Sequence, residues 1–250
     1  MLMLDARLVP VPEISLRQKK RMFDLMDAHF GNMRLENFHR DLEEKQWVLL
    51  LEGEGSGLVG FSTQKFFTHL FQGREIGVVF SGDTIIDKAY RGSPVLAWAF
   101  GRFMRDLERR NPGLPLYWML ISHSLATYRY LPLYFRDFFP RFDMITPPDF
   151  ADLMHSLGAR LFSYRYDPAQ GIVVAPPGGP FLRSSDAPDR AFFRNQPDCR
   201  FFFERNPGHR RGDELLCLAR FGEPHARPAA WRYVEKMPPI FPDSQPQKKC

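Results

Sequence analysis

Apolar residues recur at three- and four-residue spacing through "SLRQKKRMFDLMDAHF", where Leu16, Met22, Leu25, Met26 and Phe30 share one face and Ser15 stands as N-cap. This predicts a first amphipathic helix. "RLENFHRDLEEK" predicts a second, shorter one with Leu35, Phe38 and Leu42 on one side. The period then changes. "QWVLLLEGEGSGLVGFSTQKFF" joins two apolar runs through Gly53, Gly55 and Gly57, the mark of a hairpin. "REIGVVFSGDTIID" adds a strand bent near Gly82. Next comes a helix with Leu96, Ala99, Phe100, Phe103, Met104 and Leu107 on one face and Arg102, Arg105 and Arg109 largely elsewhere, ended by "NPG". "LPLYWMLIS" suits only a buried strand, and "HSLATYRYLPLYFRDFFPRF" is helical until Pro132 limits it.

This order predicts a mixed sheet covered by helices with at least one strand–helix–strand crossover. Downstream, "DFADLMHSLGARLF" reads as a helix running into a strand, and "DPAQGIVVAPPGGPFLRSSDAPDR" as an exposed connection. "CRFFFERNPGHRRGDELLCLARF" has two strand-like runs around a Pro-Gly turn, which either close the same sheet or form a small lobe beside it. The chain divides into a core at 1–145, a C-terminal extension at 146–236 packed on or covering the site, and a flexible tail at 237–250.

Composition narrows the class. Over 250 residues, 44% hydrophobic and 14% aromatic content supports a real core and excludes disorder of the whole chain. The net charge of +5, mostly from Arg, suits an acidic partner or phosphorylated substrate as well as an ordinary solvated surface. Cys199, Cys217 and Cys250 have no metal-ligand spacing, which points to a reducing cytoplasm without a disulfide framework or a structural metal. Asp5 and Arg7 interrupt the first apolar residues, unlike an export signal, and no stretch approaches the ~20 apolar residues of a membrane span. The arginines are scattered without an aromatic-basic motif, so nucleic acid is not an expected partner.

The segment "DTIIDKAYRGSPVLAWAFGRFM" at 83–104 is a strand, a turn and a helix N-terminus, an order that favours an anion at the first free N–H groups. "IIDKAYRG" resembles the end of the fourth strand and the start of the pyrophosphate loop in the GNAT acyltransferase superfamily. "HSLATYRYLPLYF" resembles that family's Asn-x-x-Ala, Tyr and Gly-Phe positions, with His123, Ala126, Tyr130 and Tyr134-Phe135 standing there. The resemblance covers a little over half the chain. It implies an α/β fold of GNAT-like type: a mixed, mostly antiparallel sheet flanked by helices, with a C-terminal extension. The implied activity is transfer of an acyl group from a phosphopantetheine thioester to a small-molecule or peptide amine by direct attack.

The loop departs from the family pattern, since Pro94 and Leu96 replace two small residues after Arg91. Three readings stay open: acyl-CoA held with help from Arg91, an acyl carrier protein that suits the Arg-rich helix, or a noncatalytic binding protein. By resemblance, the backbone of Ile85, Ile86 and Asp87 pairs with the pantetheine arm, and Arg91, Gly92 and Ser93 face the phosphates. His123 is the first candidate base and Asp83 the second, while Tyr130 protonates the leaving thiolate. The Phe-rich stretches "FFTHLF", "YFRDFF" and "RFFFE" either line a tunnel for a long acyl chain or pack the core. His209, Asp213 and Glu214 read as polar loop residues beside a Pro-Gly turn or, if this segment folds over the cleft, Asp213 or Glu214 holds a cationic acceptor.

Overall fold

The computed structural model describes residues 4–183 and 195–241. Its main sheet runs, edge to edge, β1 (Leu4–Pro10), β3 (Trp47–Gly53), β4 (Gly57–Phe71), β5 (Arg74–Ile86), β6 (Leu116–Ser122), β11 (Glu214–Arg220), β9 (Ile172–Val173) and β8 (Tyr166–Asp167). A short β7 (Phe138–Phe139) also pairs with β11, and β2 (Phe30–Gly31) pairs with β10 (Phe181–Leu182) away from this sheet. Only β5 and β6 run parallel; every other pair is antiparallel.

Alternation along β3 decides the layering. Successive side chains face opposite ways, so Leu49 and Leu51 enter one apolar cluster while Val48 and Leu50 enter another. Both faces therefore need helical cover. The first is covered by α3 (Val95–Arg110), through Leu96, Phe103 and Leu107, together with α7 (Pro197–Arg205) and α8 (Pro228–Lys236). The second divides in two. Over β3 and β4 lie α1 (Leu16–His29), which Ser15 and Gln18 cap reciprocally, and α2 (Leu35–Glu43). Over β5, β6 and β11 lies α6 (Pro148–Phe162) through Leu153, Met154 and Leu157. Two short helices, α4 (Leu125–Tyr128) and α5 (Tyr130–Tyr134), follow β6 in place of one long one, with Pro132 inside the second.

Several expectations change. The N-terminal strand β1 goes unmarked in the sequence reading because its edge position needs only weak alternation. Leu35 is exposed at the first turn of α2, leaving Phe38 and Leu42 as the buried face. "PDCRFFFER" is the helix α7, since Pro197 opens it and Cys199 and Phe202 lie buried three residues apart. The connection expected to be exposed includes buried Ile172 and Val173, which pair with β11; residues 184–190 of it lie outside the described residues. The second run around the Pro-Gly turn, β11, pairs with β6 and closes the same sheet.

The tail expected from 237 onward is held through its first five residues; 242–250 lie outside the described residues. Phe241 is buried between Trp47 and Phe103, with the Arg110 guanidinium over its ring, and the Ile240 N–H donates to Asp106 Oδ2 at 2.8 Å. Phe241→Ala should lower stability by about 3 kcal/mol in urea denaturation. An unchanged midpoint would show that this ring does not anchor the segment.

Candidate active site

Strands β5 and β6 pair only from Gly77–Ser81 against Leu116–Leu120. Beyond that point β5 follows β4 to Ile86, while β6 follows β11 to Ser122, so a gap opens between them. The cause is a bulge. Ser62 pairs with Thr84 and Gln64 with Ser81, which sets Gly82 and Asp83 against Thr63 alone. A side chain at Gly82 would meet Thr63 Oγ1 at 2.7 Å and Lys45 Cε at 2.8 Å, so the backbone approaches as only glycine permits.

A directed chain of hydrogen bonds holds the bulge. Trp118 Nε1 donates to Ser81 Oγ at 2.9 Å, Ser81 to Gln64 Oε1 at 2.7 Å, and Gln64 Nε2 to Ser62 Oγ at 2.7 Å. Ser62 and Thr84 hydroxyls lie 2.7 Å apart, and Thr84 donates onward to the Gly82 carbonyl at 3.3 Å. Gln64 is fully buried, and each of its amide ends is matched.

The gap leaves one edge of β5 unpaired. Asp87 N–H donates to the Val59 carbonyl at 2.8 Å, so it faces β4 and does not offer itself to a ligand as the resemblance implies. Alternation turns Ile85 the same way and leaves Thr84 and Ile86 on the open edge. The Ile86 carbonyl accepts from Arg91 Nε at 3.4 Å.

Two cavities meet at this edge. On the α3 side lies one of about 90 Å³, lined by Leu96, Phe100, Trp118, Tyr134, Phe135 and Trp231 among others. On the opposite side lies a cleft of about 850 Å³ that contains Asp83, His123 and Glu214. Gly82, Thr84, Ile121, Thr127 and Tyr130 line both.

The structure brings Asp83, His123 and Tyr130 to this one place. Burial, and then the charge of Asp41, raise the Asp83 pKa to about 7, against the pull of Lys45. His123 Nδ1 lies 3.5 Å from Glu214 Oε1, and its ring packs edge-on against Phe30 at 5.2 Å. Tyr130 stacks on Tyr134 with ring centroids 6.0 Å apart; burial, and then Tyr134, raise its pKa. Its hydroxyl makes no hydrogen bond among the described residues. Lys45 and Glu214 escaped the sequence reading as part of one cluster, because only the fold brings residues so far apart in the chain together.

The loop residues separate. Arg91 Nη2 lies 3.0 Å from His29 Nδ1 and its side chain lines the cleft. Gly92 has φ of 89°, and Ser93 Oγ accepts from Val95 N at 3.4 Å. Pro94 occupies the N-cap of α3 and Leu96 is buried beneath it, so both departures leave the Leu96 and Ala97 N–H groups without backbone partners.

Other expected features resolve differently. Arg102 is buried against Asp106 at 2.7 Å, and Arg105 bridges Glu108 and Glu235 over Trp231, which leaves Arg109 and Arg110 at the C-terminal end as the exposed arginines of α3. The Phe-rich stretches scatter over both faces of the sheet, and only Tyr134 and Phe135 among them reach the small cavity. Asp213 Oδ1 accepts from Ala175 N at 3.0 Å and buried His209 Nδ1 lies 2.9 Å from the Asn206 carbonyl oxygen, which leaves Glu214 as the member of that trio in the cleft. No group of three or more His, Cys, Asp or Glu that could hold a metal occurs among the described residues, and none of their helices is long and apolar enough to cross a membrane.

No protein-family model matches the chain, and no curated protein does. Among solved structures, it is similar to a conserved protein of unknown function from Enterococcus faecalis V583, described as a probable N-acyltransferase: 20% identity, 54% of this chain and 33% of that one covered, TM-score 0.41. It is similar also to a GCN5-related N-acetyltransferase from Kribbella flavida, at 20% identity over 54% of this chain and 34% of that one, TM-score 0.39. A GNAT-family N-acetyltransferase from Escherichia coli in complex with CoA gives 13% identity over 52% and 68%, TM-score 0.38. The chain spans about a third of the length of the first two. Likeness at this level says nothing of activity. The mixed, mostly antiparallel sheet flanked by helices, splayed between β5 and β6, has the α/β arrangement expected from the sequence motifs.

Two outcomes follow for this site. Because the Asp83 carboxyl keeps its proton up to about pH 7 in the folded chain and loses it near 3.8 when unfolded, stability should fall as pH rises between those values. Asp83→Asn should remove that component in denaturation curves across the range, and an identical pH dependence in the variant would contradict the assignment. Gln64→Leu should cost about 2 kcal/mol by taking the acceptor from the buried Ser81 hydroxyl and the amide donor from Ser62, measured the same way.

Proposed function

We propose that the chain is an N-acyltransferase that seats a phosphopantetheine thioester in the gap between β5 and β6 and passes its acyl group to an amine in the large cleft. The observation that carries this reading is the open edge of β5, placed between an apolar cavity and a charged cleft. A pantetheine arm is a short chain with two amides, and an unpaired strand edge at Thr84 and Ile86 supplies backbone partners for them.

The chemistry follows from where the protons go. The acceptor amine gives a proton to Asp83, whose pKa near 7 makes it a stronger base than an ordinary carboxylate. The freed lone pair attacks the thioester carbonyl, the carbon–nitrogen bond forms, and the carbon–sulfur bond breaks. The departing thiolate takes the hydroxyl proton of Tyr130, which burial keeps protonated at neutral pH, and the second proton shed by the acylated nitrogen restores the tyrosine. His123 is held by Glu214 beside this path and lines the acceptor side.

Acyl-CoA is the favoured donor. The main-chain N–H groups of Leu96 and Ala97 remain for its phosphates, and Gly92 and Ser93 bring the chain to them. A carrier protein would need a basic face, and Arg102 and Arg105 of α3 are already paired, leaving only Arg109 and Arg110 at its far end. The small cavity, about three times the ~30 Å³ share of a water molecule, suits a short apolar segment and not a fatty chain.

The test is thiol release from acetyl-CoA with a panel of amines across pH 5 to 9. The rate should rise with pH through about 7. Asp83→Asn should lower kcat by about 100-fold and remove that rise, and Tyr130→Phe should lower kcat with little change in KM. Binding of CoA without turnover would move the reading to a noncatalytic protein; neither binding nor turnover would end it.

A further inference from the structure

The ionisable side chains lining the large cleft do not balance one another. Three pairs close within it: Lys45 Nζ to Asp41 Oδ2 at 2.8 Å, Lys65 Nζ to Glu44 Oε2 at 3.6 Å, and His123 Nδ1 to Glu214 Oε1 at 3.5 Å. At the sheet end this leaves Asp83, whose carboxyl makes no hydrogen bond or ion pair with the described residues. Elsewhere in the same cleft it leaves Arg91, whose Nη2 lies 3.0 Å from His29 Nδ1, and Arg34, Arg40 and Arg165, these last three with no carboxylate partner among the described residues. Arg40 reaches only the Asn37 side-chain oxygen at 2.8 Å, and Arg165 only the Val174 carbonyl at 2.9 Å.

Position separates the two signs. Asp83 is recessed beside the gap, whereas Arg34 and Arg40 are exposed and so stand at the rim. Arg34 also occupies the N-cap of α2, where the helix dipole opposes a cation and no side-chain cap bond rewards it. A guanidinium kept there without a partner among the described residues is placed to meet an anion from solution.

We infer that the acceptor is an amine that also bears an anionic group, a carboxylate or a phosphate, with its ammonium end at Asp83 and its anion among Arg34, Arg40 and Arg165. The cleft, at about 850 Å³, leaves room for a spacer between the two charges. This deepens the acyltransferase reading and rests on it only for what then happens to the amine: one ammonium proton passes to Asp83, nitrogen gains the acyl carbon, sulfur leaves with the proton of Tyr130, and the second nitrogen proton restores the tyrosine.

The test compares glycylglycine, phosphoethanolamine, ethylamine and putrescine as ligands by calorimetry and as acceptors with acetyl-CoA. At least one of the two zwitterions should bind and react better than ethylamine and putrescine. Its affinity should fall about tenfold in Arg34→Gln/Arg40→Gln, in Arg165→Gln and in Asp83→Asn. A response confined to glycylglycine marks the anion as a carboxylate, and one confined to phosphoethanolamine as a phosphate. Ethylamine or putrescine performing as well as either zwitterion, or zwitterion affinity indifferent to the arginine variants, overturns the inference. Transfer to ethylamine without preference does so while leaving the acyltransferase reading standing; arginine-dependent zwitterion binding without transfer does the reverse.

Discussion

Everything at the centre of this molecule depends on the hydrogen-bonded chain that fixes the bulge between β4 and β5. Trp118, Ser81, Gln64, Ser62 and Thr84 each donate to the next acceptor, and the last proton goes to the Gly82 carbonyl. Polar groups buried this deeply are costly unless every one is matched, so the chain tolerates only the geometry in which all are. That geometry keeps β5 on β4 and lets β6 leave with β11. The opening thus follows from this matched chain, while Thr63 Oγ1, opposite the bulge, is buried without a hydrogen-bond partner among the described residues.

From the opening follow the two environments. The cover of the first face, α3 and α8 with the Tyr130–Tyr134 turn, is apolar down to the gap, so the small cavity is too. On the other face α1 and α2 cover one half of the sheet and α6 the other, and the cleft is what remains between them. Asp83 sits where they meet. Its burial and the nearby Asp41 raise its proton affinity, and Lys45 limits how far. A thioester and a charged amine need opposite surroundings, and the sheet here separates them by one strand edge.

Most of the architecture was legible because each element is amphipathic on its own. The alternation in β3, the faces of α1 and α3, and the bend at Gly82 are local facts of sequence. What escaped depends on neighbours. "PDCRFFFER" has three consecutive phenylalanines that read as strand, yet Pro197 at its first turn and the burial of Cys199 and Phe202 make it helix. Phe241 looks like part of a polar tail until Trp47 and Phe103 supply its pocket. At the site, Asp83, His123 and Tyr130 were visible as motif positions, but their electrostatics were not, because Asp41, Lys45 and Glu214 come from distant stretches of chain. Pro94 and Leu96 looked like damage to the phosphate loop. In the fold one is a helix cap, still without an N–H of its own, and the other a core residue, and the N–H groups of Leu96 and Ala97 have no backbone partners.

The central claim is that the open edge of β5 receives the donor, and backbone hydrogen exchange reads that edge directly. Exchange at Thr84 and Ile86 should slow markedly when acetyl-CoA is added to saturation, while Asp87, already bonded to Val59, should change little. Unaltered exchange at Thr84 and Ile86 with the ligand bound would contradict it.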